Sequence, residues 1–168
     1  MTKLITLLYG LSTLVLLIGC YSFKGISIPT AVDTFYVENF SITIANAPAA
    51  IEVTIAEELR KKIREGSRLQ STDVDPDVEF IGTITQYGVD NAGATSGNTD
   101  AAALNKLKIN ITIEYIDNLD DENSKKKTYS PFTTFDSSID LQDVEDDLVK
   151  ILVDEVTEQI FNDTFTDW

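Results

Sequence analysis

Leu107, Ile109, Ile111, Ile113 and Tyr115 alternate with Lys108, Asn110, Thr112 and Glu114. Successive side chains of a strand point to opposite faces, so this stretch is a strand with one apolar face and one wet face. A sheet built around it must cover the apolar face with another layer. Two stretches have the pattern to do so. Ile51, Ile55, Leu59 and Ile63 recur every four residues with Ala56 between them, and Leu141, Val144, Leu148, Ile151, Leu152, Val156, Ile160 and Phe161 fall at three- and four-residue steps. Each is the stripe of an amphipathic helix.

The flanking residues fit that reading. Asn46-Ala47-Pro48 can open the first helix, with proline near its first turn, and Gly66 suits the position after its end. Asp140 can cap the second helix, whose other face holds Asp143, Glu145, Asp146, Asp147 and Asp154. Phe35 and Val37, then Phe40, Ile42 and Ile44 after a slip, predict a strand with a bulge near Glu38-Asn39. Arg68 to Ser71 reads as a short strand. Val78, Phe80, Ile84, Tyr87 and Val89 mark a longer one. Residues 88–101 read as a polar loop, and Lys125 to Phe135 as a return strand. The expected fold is α+β: a mainly antiparallel sheet of four or five strands with two amphipathic helices packed on one face.

Residues 1–20 carry a different message. Lys3 precedes an apolar run from Leu4 to Ile18, followed by Leu17-Ile18-Gly19-Cys20. The run is shorter than the roughly 20 apolar residues that span a bilayer. Its small-residue end favours processing over anchoring. Leu17, Ile18 and Gly19 form a lipobox, and the chain's only cysteine, Cys20, stands where a diacylglycerol and an N-acyl chain would be attached. Each buried CH2 of such chains contributes about 0.8 kcal/mol, and two chains already anchor a protein stably. The expected organisation is a signal peptide over 1–19, a lipidated tether over 20–32 and one domain over 33–168.

Acidic residues outnumber basic ones, 28 to 13, and there is no histidine. A field of that sign disfavours nucleic acid. Without histidine there is no serine triad and no histidine metal site. Asp120-Asp121-Glu122 and Asp146-Asp147 sit where a turn and a solvated helix face are expected. Asp117, Asp120, Asp121 and Glu122 lack the spaced ligands and internal glycine of a calcium loop. Gly93 and Gly97 lack the Lys-Ser/Thr of a phosphate loop. No catalytic residue, metal or cofactor is expected, and the chain reads as a non-enzyme.

Several short motifs occur in a recognisable order. They are the lipobox with Cys20-Tyr21-Ser22-Phe23-Lys24-Gly25, then Ala103-Leu104-Asn105-Lys106-Leu107, then Tyr129-Ser130-Pro131-Phe132 with Phe135-Asp136-Ser137-Ser138. Val144-Glu145-Asp146-Asp147-Leu148 through Ile160-Phe161-Asn162-Asp163-Thr164-Phe165 closes the series. Together they resemble the lipopolysaccharide-assembly lipoprotein family LptE, in a compact-domain branch. The resemblance implies an outer-membrane lipoprotein, lipid-anchored and facing the periplasm. Such a protein plugs and helps assemble the LptD β-barrel and binds lipopolysaccharide. A different lipoprotein adaptor, a regulator of cell-wall synthases or a secretion pilot, is the alternative.

Phosphates of lipopolysaccharide need cations. The candidates are Arg60, Lys61, Lys62, Arg64 and Arg68, then Lys106 and Lys108 on the wet strand face, and Lys125-Lys126-Lys127 at a hairpin. Each cluster also reads as ordinary solvated charge. Lys106 and Lys108 share a strand face, which is a better platform than a turn.

Overall fold

The computed structural model describes residues 28–92 and 104–166. The leader, Leu17, Ile18, Gly19, Cys20, the tether up to residue 27 and positions 93–101 of the polar segment lie outside the described residues.

Two long strands form the spine. β4 (Val78–Ala92) pairs antiparallel with β5 (Leu104–Asp117) along their whole length, from Val78 opposite Asp117 to Ala92 opposite Leu104. Each open edge of this ribbon carries a strand broken in two. On the β4 side β1 (Thr34–Val37) and then β2 (Ser41–Ile42) run parallel to β4, and β3 (Gln70–Ser71) runs parallel to β1. On the β5 side β6 (Lys125–Tyr129) and then β7 (Phe132–Asp136) run antiparallel to β5.

The α+β class therefore holds, but among the described residues the sheet is mixed and has seven strands. Alternation at Phe35 and Val37 tells which face is buried, not which way the neighbour runs. Direction is set by α1 (Ile51–Gly66), which lies between β2 and β3. A helical crossover returns the chain in its original direction. The polar segment also shrinks, because residues 88–92 continue β4.

Both edge breaks have physical causes. At the first, the Phe40 ring lies directly on Gly82, where an added Cβ would come within 2.5 Å of it. At the second, Pro131 has no N–H to offer. Its carbonyl accepts from the Ile109 N–H at 3.2 Å, so the ladder is bridged rather than lost.

The core lies on one side of the sheet. Phe35, Phe80, Ile84, Leu107, Ile109 and Ile111 are fully buried there, against Ile55, Leu59 and Ile63 of α1 and Leu152 and Ile160 of α2 (Leu141–Phe165). Each such side chain contributes about 1.5–3 kcal/mol by leaving water. Phe165 closes the end, its ring 6.0 Å from Phe80 and 5.3 Å from Phe161. The two helices run parallel to one another: Lys62 pairs with Glu158, and one turn further on Gly66 faces Phe161.

Some local expectations change. Asn46 does not open α1; its side-chain amide donates to the Tyr87 carbonyl at 2.7 Å, and the helix starts after Ala50, held at φ 63°. Gly66 is the last helical residue, and it matters through close approach, since an added Cβ would lie 2.6 Å from the Phe161 ring. Asp140 caps α2 as expected, accepting from the Gln142 N–H at 3.1 Å. Ile151 is half exposed, whereas Val153, Thr157 and Phe165 are buried. The buried stripe of α2 is wide because it meets both α1 and the sheet. Buried Thr157 stays satisfied by donating to the Val153 carbonyl at 2.8 Å.

Candidate functional site

The face of the sheet away from the helices is uncovered among the described residues. Near the Leu104 end of β5 it forms ordered rows across three strands. Lys108 lies between Gly88 of β4 and Phe132 of β7, and Lys106 lies between Asp90 and Thr134. The two lysines stand about 7 Å apart along the strand. The Lys106 ammonium sits 3.9 Å from the centre of the Phe132 ring. Phe132 remains 50% exposed and Leu104 41% exposed, so two apolar side chains flank two cations. Gly88 has nothing within 4 Å of where a Cβ would stand, which leaves an open strip beside Lys108.

The cations of α1 are placed differently. The Arg60 guanidinium donates twice to the Val37 carbonyl, at 3.1 and 2.9 Å, and once each to Asn39 Oδ1 at 2.8 Å and Glu57 Oε1 at 2.6 Å. It satisfies the carbonyl at which β1 stops. Lys61 pairs with Glu58 at 3.1 Å, and that bond raises its pKa. Lys62 pairs with Glu158, whose carboxyl is lowered by Lys62 and then by the Asn162 amide. Arg68 pairs with Asp33 and donates to the Pro29 carbonyl at 2.8 Å. Arg64 lies exposed in the last turn. These residues are thus spread over a helix and its neighbours rather than gathered around one point.

The hairpin lysines divide by face. Lys126 faces Glu114 at 3.2 Å on the open side. Lys125 donates to the Asp163 carbonyl at 2.9 Å, and Lys127 pairs with the Asp163 carboxylate. Cations placed there answer the negative end of α2. Burial, then the charge of Asp163, raises the pKa of the neighbouring Tyr129. At the other end of α2, Tyr87 donates to Glu145 at 2.6 Å, and burial and that carboxylate keep its phenol protonated. Tyr115 is pushed up to about 12 by burial and by Asp117.

The turn carboxylates are engaged by the backbone. Asp117 is buried and accepts from the N–H groups of Leu119 and Asp120 at 3.0 and 3.1 Å and from the Asn123 amide at 3.2 Å. Asp120 accepts from the Glu122 N–H at 3.2 Å. Asp77 ties the start of β1 to the start of β4. Its Oδ2 accepts from the N–H groups of Asp33 and Thr34, each at 2.8 Å, and from the Thr34 hydroxyl at 2.9 Å. Those bonds lower its pKa. The acids are structural fasteners, and among the described residues none forms a group able to hold a metal ion.

Sequence reasoning missed three members of the platform. In sequence Phe132 reads as part of the return strand and of the Tyr129–Phe132 motif, and Gly88 and Asp90 read as loop. Only Phe132 carried a signal, since an aromatic residue next to a proline break marks the edge of a sheet.

A mixed sheet with two parallel helices on one face makes this a small α+β domain, a fold shared with solved structures. The chain resembles a minor lipoprotein from Acinetobacter baumannii, with 13% identity, a TM-score of 0.51 and coverage of 79% of this chain and 91% of that one. It also resembles a Xanthomonas campestris protein of the DUF330 family, with 11% identity, a TM-score of 0.59 and coverage of 79% and 83%. No curated protein sequence matches. The model of the LptE family, described as lipopolysaccharide-assembly, matches residues 32–164. The chain belongs to the LptE family.

Proposed function

We propose that this protein is an outer-membrane lipoprotein, acylated on Cys20 after removal of residues 1–19, that plugs and helps assemble an LptD-like β-barrel. In that complex it contacts lipopolysaccharide on its way to the cell surface. The observation that carries the reading is the family match across nearly the whole domain. The open face supports the ligand half of it. Lys106 and Lys108 offer cations to phosphate, with Phe132 and Leu104 beside them for an amphiphile. The role is binding and assembly, without catalysis or a cofactor. Its site faces the periplasm or the barrel interior.

A mild-detergent pull-down of the full lipoprotein, followed by mass spectrometry, tests the partner. A large β-barrel at near-stoichiometric yield supports the proposal. A cell-wall synthase or a secretion ring in its place would overturn it. Cys20→Ala tests the anchor, because loss of acylation releases the protein from the detergent phase.

A further inference from the structure

We infer that the groove between the two helices, on the solvent side of the helical layer, is a docking site for a basic amphipathic segment of another protein. This goes beyond the assembly reading. It concerns the side of the domain opposite the lysine platform, and it names the chemistry of what binds there.

The groove follows from the helix periods. Ile51, Thr54, Glu58, Lys61 and Glu65 form one wall, at the three- and four-residue steps that share a helix face. Asp146, Lys150, Asp154 and Glu158 of α2 form the other. Glu58 and Asp154 line both halves, so the groove is continuous. Its character changes along its length. The half near the helix starts has apolar walls, with Pro48, Ile51, Val149 and Val153. The half near the end of α1 is lined only by charged side chains and Thr157. An apolar anchor can leave water in the first half while cations meet acids in the second.

The charge of the groove selects its partner. Six carboxylates and three lysines line it. Lys61 pairs with Glu58 and Lys62 with Glu158. Among the described residues Glu65, Asp146, Asp154 and Glu155 make no ion pair, against the single lysine Lys150. The pKa of Lys61 is raised by Glu58 first and then also by the charges of Glu65 and Asp154, so acids of both walls face one space. The helices run parallel, and the negative ends of both dipoles lie towards this charged half. Antiparallel helices would cancel that field. A second copy of the chain is itself acidic, and an anionic lipid surface is repelled and too flat to fill a groove. A segment with an apolar end and a Lys- or Arg-bearing end matches both halves.

The test places a photo-cross-linking amino acid at Thr54, an exposed wall residue, in cells expressing the full chain. The cross-linked peptide is identified by mass spectrometry, synthesised and titrated against the purified full chain in detergent. It should come from another protein and carry a net positive charge. Glu65→Gln with Asp154→Asn should weaken its binding about fivefold or more, as expected for two exposed charge contacts. Asp73→Asn with Asp75→Asn changes the net charge equally, on the loop before β4, and should change binding less than about twofold, because screening isolates distant charges. All four acids are exposed, so both variants keep the fold. An adduct with lipid, with a second copy, with another part of the same chain or with an uncharged or acidic segment overturns the inference, as does no adduct at all. Equal effects of the two charge-matched variants overturn it too. A basic segment from a protein that is not a barrel leaves this inference standing and sinks the barrel reading.

Discussion

The two main groups of cations in this chain have the same look in sequence and opposite fates in the fold. Arg60, Lys61, Lys62 and Arg68 are drawn into carbonyls and carboxylates of the protein itself. Lys106 and Lys108 stand on an open strand face, one over an aromatic ring and the other beside a glycine. A density of positive charge therefore says little about binding. What decides is whether the surrounding fold has already supplied the partner. In an acidic chain most cations find one at home.

The largest effect should come from reversing both platform lysines. Lys106→Glu with Lys108→Glu should reduce lipopolysaccharide binding by about a hundredfold or more, because two attractive charges become repulsive ones towards phosphate. The melting temperature should fall only slightly, because neither side chain is buried, although Lys106→Glu loses the Phe132 ring and faces Asp90 across the strands. A matching drop in melting temperature would place these residues with the structural group and erase the distinction.

Next in size is Arg60→Ala. It leaves the partly buried Val37 carbonyl without its donor and should cost about 1–3 kcal/mol of stability in a denaturant titration. Ligand affinity should stay as it was. A loss of affinity at unchanged stability would move Arg60 to the binding group.

Lys62→Ala removes an exposed pair with Glu158, and exposed pairs contribute roughly 0–1 kcal/mol. The deficit should shrink further in high salt. The smallest effect lies in acid. The folded pKa of Glu158 is lowered, by Lys62 first, so the stability it contributes is present above its unfolded value of about 4.3 and is lost as pH falls through the lower folded value. Lys62→Ala should flatten that acid limb slightly. An identical slope in parent and variant would mean the pair is not formed in solution.

The features that could be read from sequence were those set by neighbours close in the chain. The alternation from Leu107 to Tyr115, the stripe from Ile51 to Ile63 and the Asp140 cap all express local geometry, and all are found in place. The lipobox expected at residues 17–20 is as local a signal, and it lies outside the described residues. What escaped depended on distant partners. Parallel pairing of β1 with β4 leaves the same alternation as antiparallel pairing would. Gly66 does end the helix, as its type suggests, but its lack of a side chain also makes room for Phe161, far along the chain. Ile151 fits the α2 period and still points outward, because the helix turns its broad face to α1 as well as to the sheet. In the same way Lys62 looked free until Glu158 was brought beside it.

The β4–β5 ribbon also acts as a ruler. The chain comes in at Asp33 and Thr34, fastened to Asp77 next to the Val78–Asp117 end of the ribbon, while Lys106 and Lys108 lie towards its opposite end. At about 3.3 Å per residue, nine to eleven strand positions separate the two by roughly 30–36 Å. That is close to the roughly 30 Å hydrocarbon depth of a bilayer. The span from Asp33 to the lysines is thus fixed by backbone pairing, whatever the chain before Asp33 does.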